Sequence, residues 1–198
     1  GRIRLPSPAA MTIAVSLAQL IAHAGKRVIL VDCDLRNPTL SASLASGTNA
    51  GLVEVISGAR ALEDVVWCDP KTDLTFLPTA KKGSLLHTSE ILSAEQTRKL
   101  FDRLRMAYDY IIVDLPPLAP VVDVRATSPL IDCYIMVVEW GKTRTDVVQH
   151  ALHTAPNIYE TLIGTVLNKT DMSAMKLYDD YNNEYYKNTH YARYGYAE

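Results

Sequence analysis

GKRVILVDCDLRNP (Gly25–Pro38) opens on a glycine, runs through a short β-branched apolar core and ends in two carboxylates two residues apart. Its apolar run is continuous rather than alternating, so Arg27 to Asp32 reads as a strand buried on both faces. Upstream, Thr12 to Ala24 has helical spacing and small residues, and Gly25 is placed to close that helix. The same strand-and-helix alternation recurs downstream. Leu74 to Leu77 is a weaker strand. Ala94 to Ala107 is an amphipathic helix with Leu100, Leu104 and Ala107 on one face and Ser93 as its N-cap. Tyr110 to Asp114, Tyr134 to Val138 and Leu162 to Leu167 are further strands, with Asp123 to Leu130 and Thr145 to Ala155 as crossover helices. Asn37 to Lys71 is mixed, with short helical pieces such as Gly51 to Ile56, and Pro78 to Ser89 reads as a loop. This is the pattern of an α/β fold with a mostly parallel sheet flanked by helices.

The chain has 198 residues, 48% hydrophobic and 21% charged, with a formal net charge of −2. That is enough chain for one well-packed domain. A charge so close to neutral argues against bulk electrostatic binding to nucleic acid. No apolar run approaches the ~18–20 residues that span a bilayer. Cys33, Cys68 and Cys133 are far apart and odd in number, so neither a disulfide framework nor a zinc site is indicated and a reduced, cytosolic setting is expected. Cys33 and Cys133 sit in or beside strand-like runs, where free cysteine acts as a small hydrophobe. His150 and His153 lie one helical turn apart without a third ligand nearby and read as a helix face. Trp67 and Trp140 read as packing residues.

Both ends depart from the pattern. From Tyr178 onward, seven of the eleven tyrosines fall among polar residues with no hydrophobic period. The expected division is therefore a folded domain over residues 1–177 and a flexible, tyrosine-rich tail over 178–198. At the other end, a fold of this type places a full strand before its first helix. Ile3 to Leu5 is barely half of one, so the first strand is expected to be truncated.

Ligands of open α/β sheets bind beyond the carboxyl ends of the strands. Three strand ends carry polar groups there. In VDCDLRNP, Asp32 and Asp34 alternate toward the same side, with Arg36 two residues further, a spacing that suits one metal-bound phosphate. In YDYIIVDLPPLAP, Asp114 ends an apolar strand, and Pro116 and Pro117 force an extended exit. A carboxylate so placed orders Mg²⁺ or its water shell. In GTVLNKTD, Asn168 offers the donor and acceptor needed to read a base edge, with Lys169 and Asp171 close by. Taken singly each also fits an ordinary turn; the paired acidic strand ends are the specific signal.

GKRVILVDCDLRNP resembles the Walker A′ motif, and YDYIIVDLPP the Walker B motif, of the bacterial tyrosine kinases. The likeness extends to Gly51-Leu52, TSEILS (Thr88–Ser93), GTVLNK and the terminal tyrosines. The paired motifs are shared with partition and division-site ATPases; the tyrosine tail is not. The resemblance implies a P-loop NTPase fold of the deviant-Walker class, with ATP and Mg²⁺ as cofactors. Asp32, Asp34 and Asp114 would be the catalytic carboxylates, one A′ aspartate assisting Mg²⁺ and one deprotonating the phenol. Asp32 and Asp114 would serve the metal; Thr12, Arg36, Asn168 and Lys169 would serve the nucleotide. Tyr178, Tyr181, Tyr185, Tyr186, Tyr191, Tyr194 and Tyr196 would be phospho-acceptors. It further implies a self-associated ring, a tyrosine phosphatase, and a membrane-spanning polysaccharide co-polymerase portion outside this chain that holds the domain at the cytoplasmic face of the inner membrane. The implied role is control of exopolysaccharide polymerisation and export.

One motif departs. The family's Walker A reads like LPGEGKST, and here the aligned stretch is Leu5-Pro6-Ser7-Pro8-Ala9-Ala10-Met11-Thr12. Without the glycines, successive amides cannot curl around phosphate, and Pro8 removes a donor. Ala10 brings no charge, and Met11 is no ligand for a hard cation. Thr12 and the helix N-terminus remain. Losing one charge-assisted contact costs ~2–4 kcal/mol of transition-state stabilisation, so weak ATP binding and very slow phosphoryl transfer are expected. A catalytically silent scaffold of the same fold, or a partition-type switch ATPase, are the alternative functions. The switch ATPase lacks its usual amphipathic membrane helix or basic patch here. A flavodoxin-like signalling domain would explain the sheet but not the two motifs.

Overall fold

The structure, a computed structural model, describes residues 9–80, 87–118 and 123–174. The chain order is α1 (Ala9–His23), β1 (Val28–Asp32), α2 (Thr39–Leu44), α3 (Leu52–Ile56), a 3-10 turn (Leu62–Asp64), β2 (Trp67–Cys68) and β3 (Thr75–Leu77). Then follow α4 (Thr88–Ser93), α5 (Glu95–Ala107), β4 (Tyr110–Asp114), α6 (Asp123–Ala126), β5 (Tyr134–Glu139), α7 (Thr145–His153), α8 (Pro156–Glu160) and β6 (Leu162–Asn168). The strands form two hydrogen-bonded ladders. One has the order β2-β3-β1-β4, the other is β5-β6. All neighbours are parallel except β2 and β3, where a two-residue strand absent from the sequence reading turns back antiparallel.

β1 is the hub. All five of its residues are buried, as its continuous apolar run requires. Its alternate side chains feed two cores. Ile29 and Val31 pack with Leu52, Leu92, Phe101 and Leu104 on one face. Val28 and Leu30 pack with Met11, Val15, Ala18, Leu40 and Phe76 on the other. The helices α3, α4 and α5 therefore cover one side of the sheet and α1 the other. Gly25 ends α1 in the left-handed conformation, φ 73°, as expected of a residue without a Cβ. No helix among the described residues is long and apolar enough to cross a membrane.

Among the described residues β4 and β5 each lack a partner strand on one side, and residues of both line a cavity of about 1260 Å³. Ile3 to Leu5 and the tail from Tyr178 onward lie outside the described residues.

Several local expectations differ from what is observed. Ser93 does not cap α5; Ala94 holds that position in an extended conformation, and the Ser93 hydroxyl donates back to the Glu90 carbonyl at 3.2 Å. Ala107 ends α5 exposed, and Thr97 and Phe101 join Leu100 and Leu104 on its buried face. Cys133 is exposed just ahead of β5, while Cys33 is buried as foreseen. The crossover from Asp123 stops at Ala126 and continues as turns, with Pro129 unable to donate to a further helical bond. α7 ends at His153, and Pro156 starts α8, where its missing N–H costs nothing. The loop expected from Pro78 contains the start of α4 at Thr88. Trp67 is 43% exposed on the edge strand β2 rather than packed inside.

Candidate functional site

Parallel pairing of β1 with β4 sets Asp32 directly opposite Asp114 at the carboxyl ends of both strands. Both are buried, Asp32 wholly and Asp114 with 7% exposure. Asp32 is clamped. Its Oδ1 accepts the Asp34 amide at 3.1 Å, and its Oδ2 accepts the Ser41 amide at 2.9 Å and the Ser41 hydroxyl at 2.6 Å. Ser41 Oγ in turn accepts the Thr79 amide, and Thr79 Oγ1 donates to the Asp32 carbonyl at 2.7 Å. The network ties the end of β1 to the start of α2 and to the exit from β3.

Asp114 has no such support: no hydrogen bond reaches its carboxylate from the described residues. Burial, joined by the negative charges of Asp32 and Asp34, pushes its pKa up to about 7. Burial likewise lifts Asp32 to about 6, against the opposing pull of the Ser41 and Asp34 donors. Asp34 is half-buried and raised by burial, moderated by the backbone amides of Asn37 and Arg36. Between them Cys33 donates its amide to the Asp114 carbonyl, and burial drives its thiol pKa well above the ordinary value. Asp32 and Asp114 thus stand opposite each other at one end of the sheet, with Asp34 bonded through its amide to Asp32 and its charge adding to the rise of Asp114.

Repelling carboxylates with an unsupported member at their centre are suited to a cation. Among the described residues no three acidic, His or Cys side chains stand close enough to hold a metal ion directly. Asp32 has spent its oxygens on protein donors. The arrangement therefore fits Mg²⁺ held through its own waters, which that ion releases reluctantly, with Asp114 and Asp34 as the receiving carboxylates.

Arg36 reaches across to α6. Its Nε donates to Asp123 Oδ2 at 2.7 Å and its Nη2 to Asp123 Oδ1 at 3.1 Å, the bidentate fork that suits a carboxylate. Thr88 Oγ1 adds a third bond to Asp123 Oδ2 at 2.7 Å. Burial works to raise Asp123, but these partners outweigh it and hold its pKa below the ordinary value. Ser41, Thr79, Thr88 and Asp123 were not singled out in the sequence. Serine and threonine are common at helix starts, and an acidic first helical residue is an ordinary complement to the helix dipole.

The remaining expected nucleotide contacts are dispersed. Thr12 lies half-buried in the first turn of α1. Met11 is 1% exposed and packs in the core with Leu40 and Phe76, so this position belongs to the hydrophobic interior. Asn168 ends β6, in the other ladder, and Lys169 follows it; the Lys169 ammonium pairs with Glu139 at 3.0 Å and its amide donates to Asn168 Oδ1. Lys169 is held at φ 59° there. The phosphate grip is the part the described residues do not supply.

Comparison with known proteins gives the class first. The family model described as an AAA domain matches residues 9–169. The fold is that of the P-loop NTPases. The septum site-determining protein MinD from Pyrococcus horikoshii, solved with Mg-ADP, superposes with a TM-score of 0.60 at 20% identity over 80% of this chain and 64% of that one. The chain belongs, within this class, to the bacterial tyrosine-kinase family. It is 30% identical to the tyrosine-protein kinase CpsD of Streptococcus agalactiae over 87% of this chain and 74% of that protein. The VpsO kinase domain superposes with a TM-score of 0.75 at 28% identity, covering 84% of this chain and 81% of that one. Identity reaches 38% with the succinoglycan biosynthesis transport protein ExoP of Rhizobium meliloti, over 90% of this chain. The chain spans only 23% of ExoP's length.

Proposed function

We propose that this chain is the protein-tyrosine autokinase domain of an exopolysaccharide-export system, with phosphoryl transfer from ATP to its own tail tyrosines weakened by the altered phosphate loop. The observation that carries this reading is the register of Asp32 against Asp114, with Asp34 just beyond, at the sheet end where α1 begins. Mg²⁺, when bound, supplies the positive charge that shields the triphosphate. Asp114 receives the hydrated ion, and Asp32, fixed by Ser41, holds the strand end in register. Asp34, the half-exposed member with a raised pKa, takes the phenolic proton. Arg36, aimed by Asp123, faces the phosphates.

The same reading places the domain at the inner face of the inner membrane beside a co-polymerase portion, in a ring whose tail phosphorylation a phosphatase reverses. The relatives named as tyrosine kinases and as a polysaccharide transport protein support it. A scaffold without catalysis is the second reading, favoured by the burial of Met11 and the neutral Ala10 where the family carries a serine and a lysine.

Two measurements decide between them. Mg²⁺ at pH 8 is expected to raise the melting temperature of the chain and to leave Asp114→Asn unmoved; equal shifts in both would remove the metal from this site. Calorimetry should find Mg-ATP binding weaker than micromolar, rising on the order of tenfold in Ala10→Lys, which adds one charge-assisted phosphate contact. Met11→Ser is the wrong repair to begin with, because emptying that core position costs about 2–5 kcal/mol. If Ala10→Lys gains neither nucleotide affinity nor tail phosphotyrosine by mass spectrometry, the kinase reading fails and the scaffold stands.

A further inference from the structure

Arg36 is gripped along one edge. Its Nε and Nη2 close on Asp123, and among the described residues no partner meets Nη1 on the other edge of the guanidinium. The Arg36 side chain is 49% exposed and that of Asp123 only 1%. Arg36 lines the same cavity as Asp34, Asp114 and Ala10, whereas Asp123 and Thr88 do not. Whatever enters there meets Arg36, and Asp123 can act on it only through Arg36. Among the described residues the lining has one other basic side chain, Arg105, which is tied to Asp102 and to the Leu130 carbonyl. Arg105 sits at the end of α5 that leads into β4, away from the carboxylates that close that strand. Ala10 brings no charge to the start of α1. Arg36 is therefore the cation that an anion beside Asp34 and Asp114 would meet.

The grip is assembled from three connections. Arg36 follows β1, Thr88 opens α4 after β3, and Asp123 opens α6 after β4. β3 and β4 both pair parallel with β1, so the segments that follow the three strands gather at one end of the sheet. Thr88 is wholly buried, and its hydroxyl donates to Asp123 Oδ2, the same oxygen that accepts Arg36 Nε. Thr88 thus fixes the carboxylate, and the carboxylate fixes the plane of the guanidinium. We propose that Asp123 and Thr88 are positioning residues for polyphosphate, holding Arg36 with its open edge toward the phosphates of a bound nucleotide. The proposal builds on the kinase-domain reading above. An arginine already held in a planar fork gives up little further freedom when it binds, an advantage that lysine on its flexible stem does not share.

The test titrates Mg-ATP, by calorimetry, into the full chain and its variants at a temperature where each is folded, with Ala10→Lys as the tighter-binding control. Arg36→Ala and Arg36→Lys should each weaken binding at least about tenfold, since lysine keeps the charge but loses the fork. Thr88→Val should weaken it about fivefold, with Thr88→Ser restoring the parent affinity, and Asp123→Asn should cost as much or more. Thr88→Val added to Arg36→Ala should cost nothing further, because its effect runs through the guanidinium. An equal loss with and without Arg36 marks a merely structural role and overturns the proposal. Tighter binding in Asp123→Asn also overturns it, since the carboxylate would then be withholding Arg36 from phosphate. Binding that ignores Arg36, Asp123 and Thr88 removes the positioning role and leaves the nucleotide site standing. No binding in any variant, Ala10→Lys included, overturns the nucleotide reading together with the proposal.

Discussion

Gly51→Ala is expected to destabilise the fold by about 3–5 kcal/mol, lowering the melting temperature by roughly 10–15 °C in thermal unfolding followed by circular dichroism. A Cβ built on Gly51 would lie 2.1 Å from the Pro78 carbonyl oxygen, 2.8 Å from its carbon and 3.0 Å from the Ala80 amide nitrogen. All three are backbone atoms, so no side chain can swing aside. The backbone itself is extended at φ −173°, open to any residue, so the effect is steric contact alone. Retreat from the clash would break the 2.7 Å bond from the Leu52 amide to that same carbonyl, and Leu52 is wholly buried in the core under β1. Gly164→Ala is the control. Nothing lies within 4 Å of its added carbon, and its melting temperature should stay close to the parent.

The second large effect is a stability that falls as pH rises. Asp32 and Asp114 keep their protons to about pH 6 and about pH 7 in the folded chain, against about 4 when unfolded. Between those values the native state binds more protons than the unfolded state, so unfolding free energy declines with pH. The contribution is fully present below pH 4 and is lost as pH passes through 6 and 7. At about 1.4 kcal/mol per unit for two interacting groups, the loss is on the order of 5 kcal/mol. The carboxylates held below their ordinary range, such as Asp109 beside Arg27 and Asp123 beside Arg36, finish ionising below pH 4 and do not offset it. Urea unfolding at pH 5 and pH 8 measures the difference. Asp114→Asn should remove most of it, gaining about 3 kcal/mol at pH 8 and about 1 kcal/mol at pH 5. Asp32→Asn should instead destabilise at both, because its carboxylate accepts three donors that an amide cannot all satisfy. A flat pH profile would mean that the two carboxylates are already compensated in solution.

Periodicity carried the architecture well where an element is amphipathic or wholly apolar. The limits of β1, β4, β5 and β6 fall within a residue or so of the expected ones, because each is a short run rich in apolar and β-branched residues, although β1 is buried throughout and β6 is largely exposed. Short-range chemistry misled where two elements abut. Ser93 looks like a cap for α5 but ends α4, and only the turn at Ala94 decides which. Asp32, Asp34 and Asp114 were legible as strand-end carboxylates. What separates them was not: Asp32 is satisfied by Ser41, nine residues on, while no donor among the described residues reaches the Asp114 carboxylate. Arg36 was expected at the nucleotide, and its grip on Asp123, 87 residues away, depends on a contact that no local spacing encodes. The β5–β6 ladder likewise put Lys169 on Glu139, a pairing visible only once Asn168 is in register with that strand.

The division into two ladders has a consequence for how the molecule comes apart. Backbone bonding is continuous from β2 to β4 and again from β5 to β6, but among the described residues no strand pairing bridges the halves, which lean on each other through α1 and other side-chain packing. The carboxyl-terminal pair, with Ile163 and Leu167 facing solvent, is the natural first piece to open under mild denaturant. Calorimetry would then record a broad or doubled heat-absorption peak, because the halves need not melt as one cooperative unit.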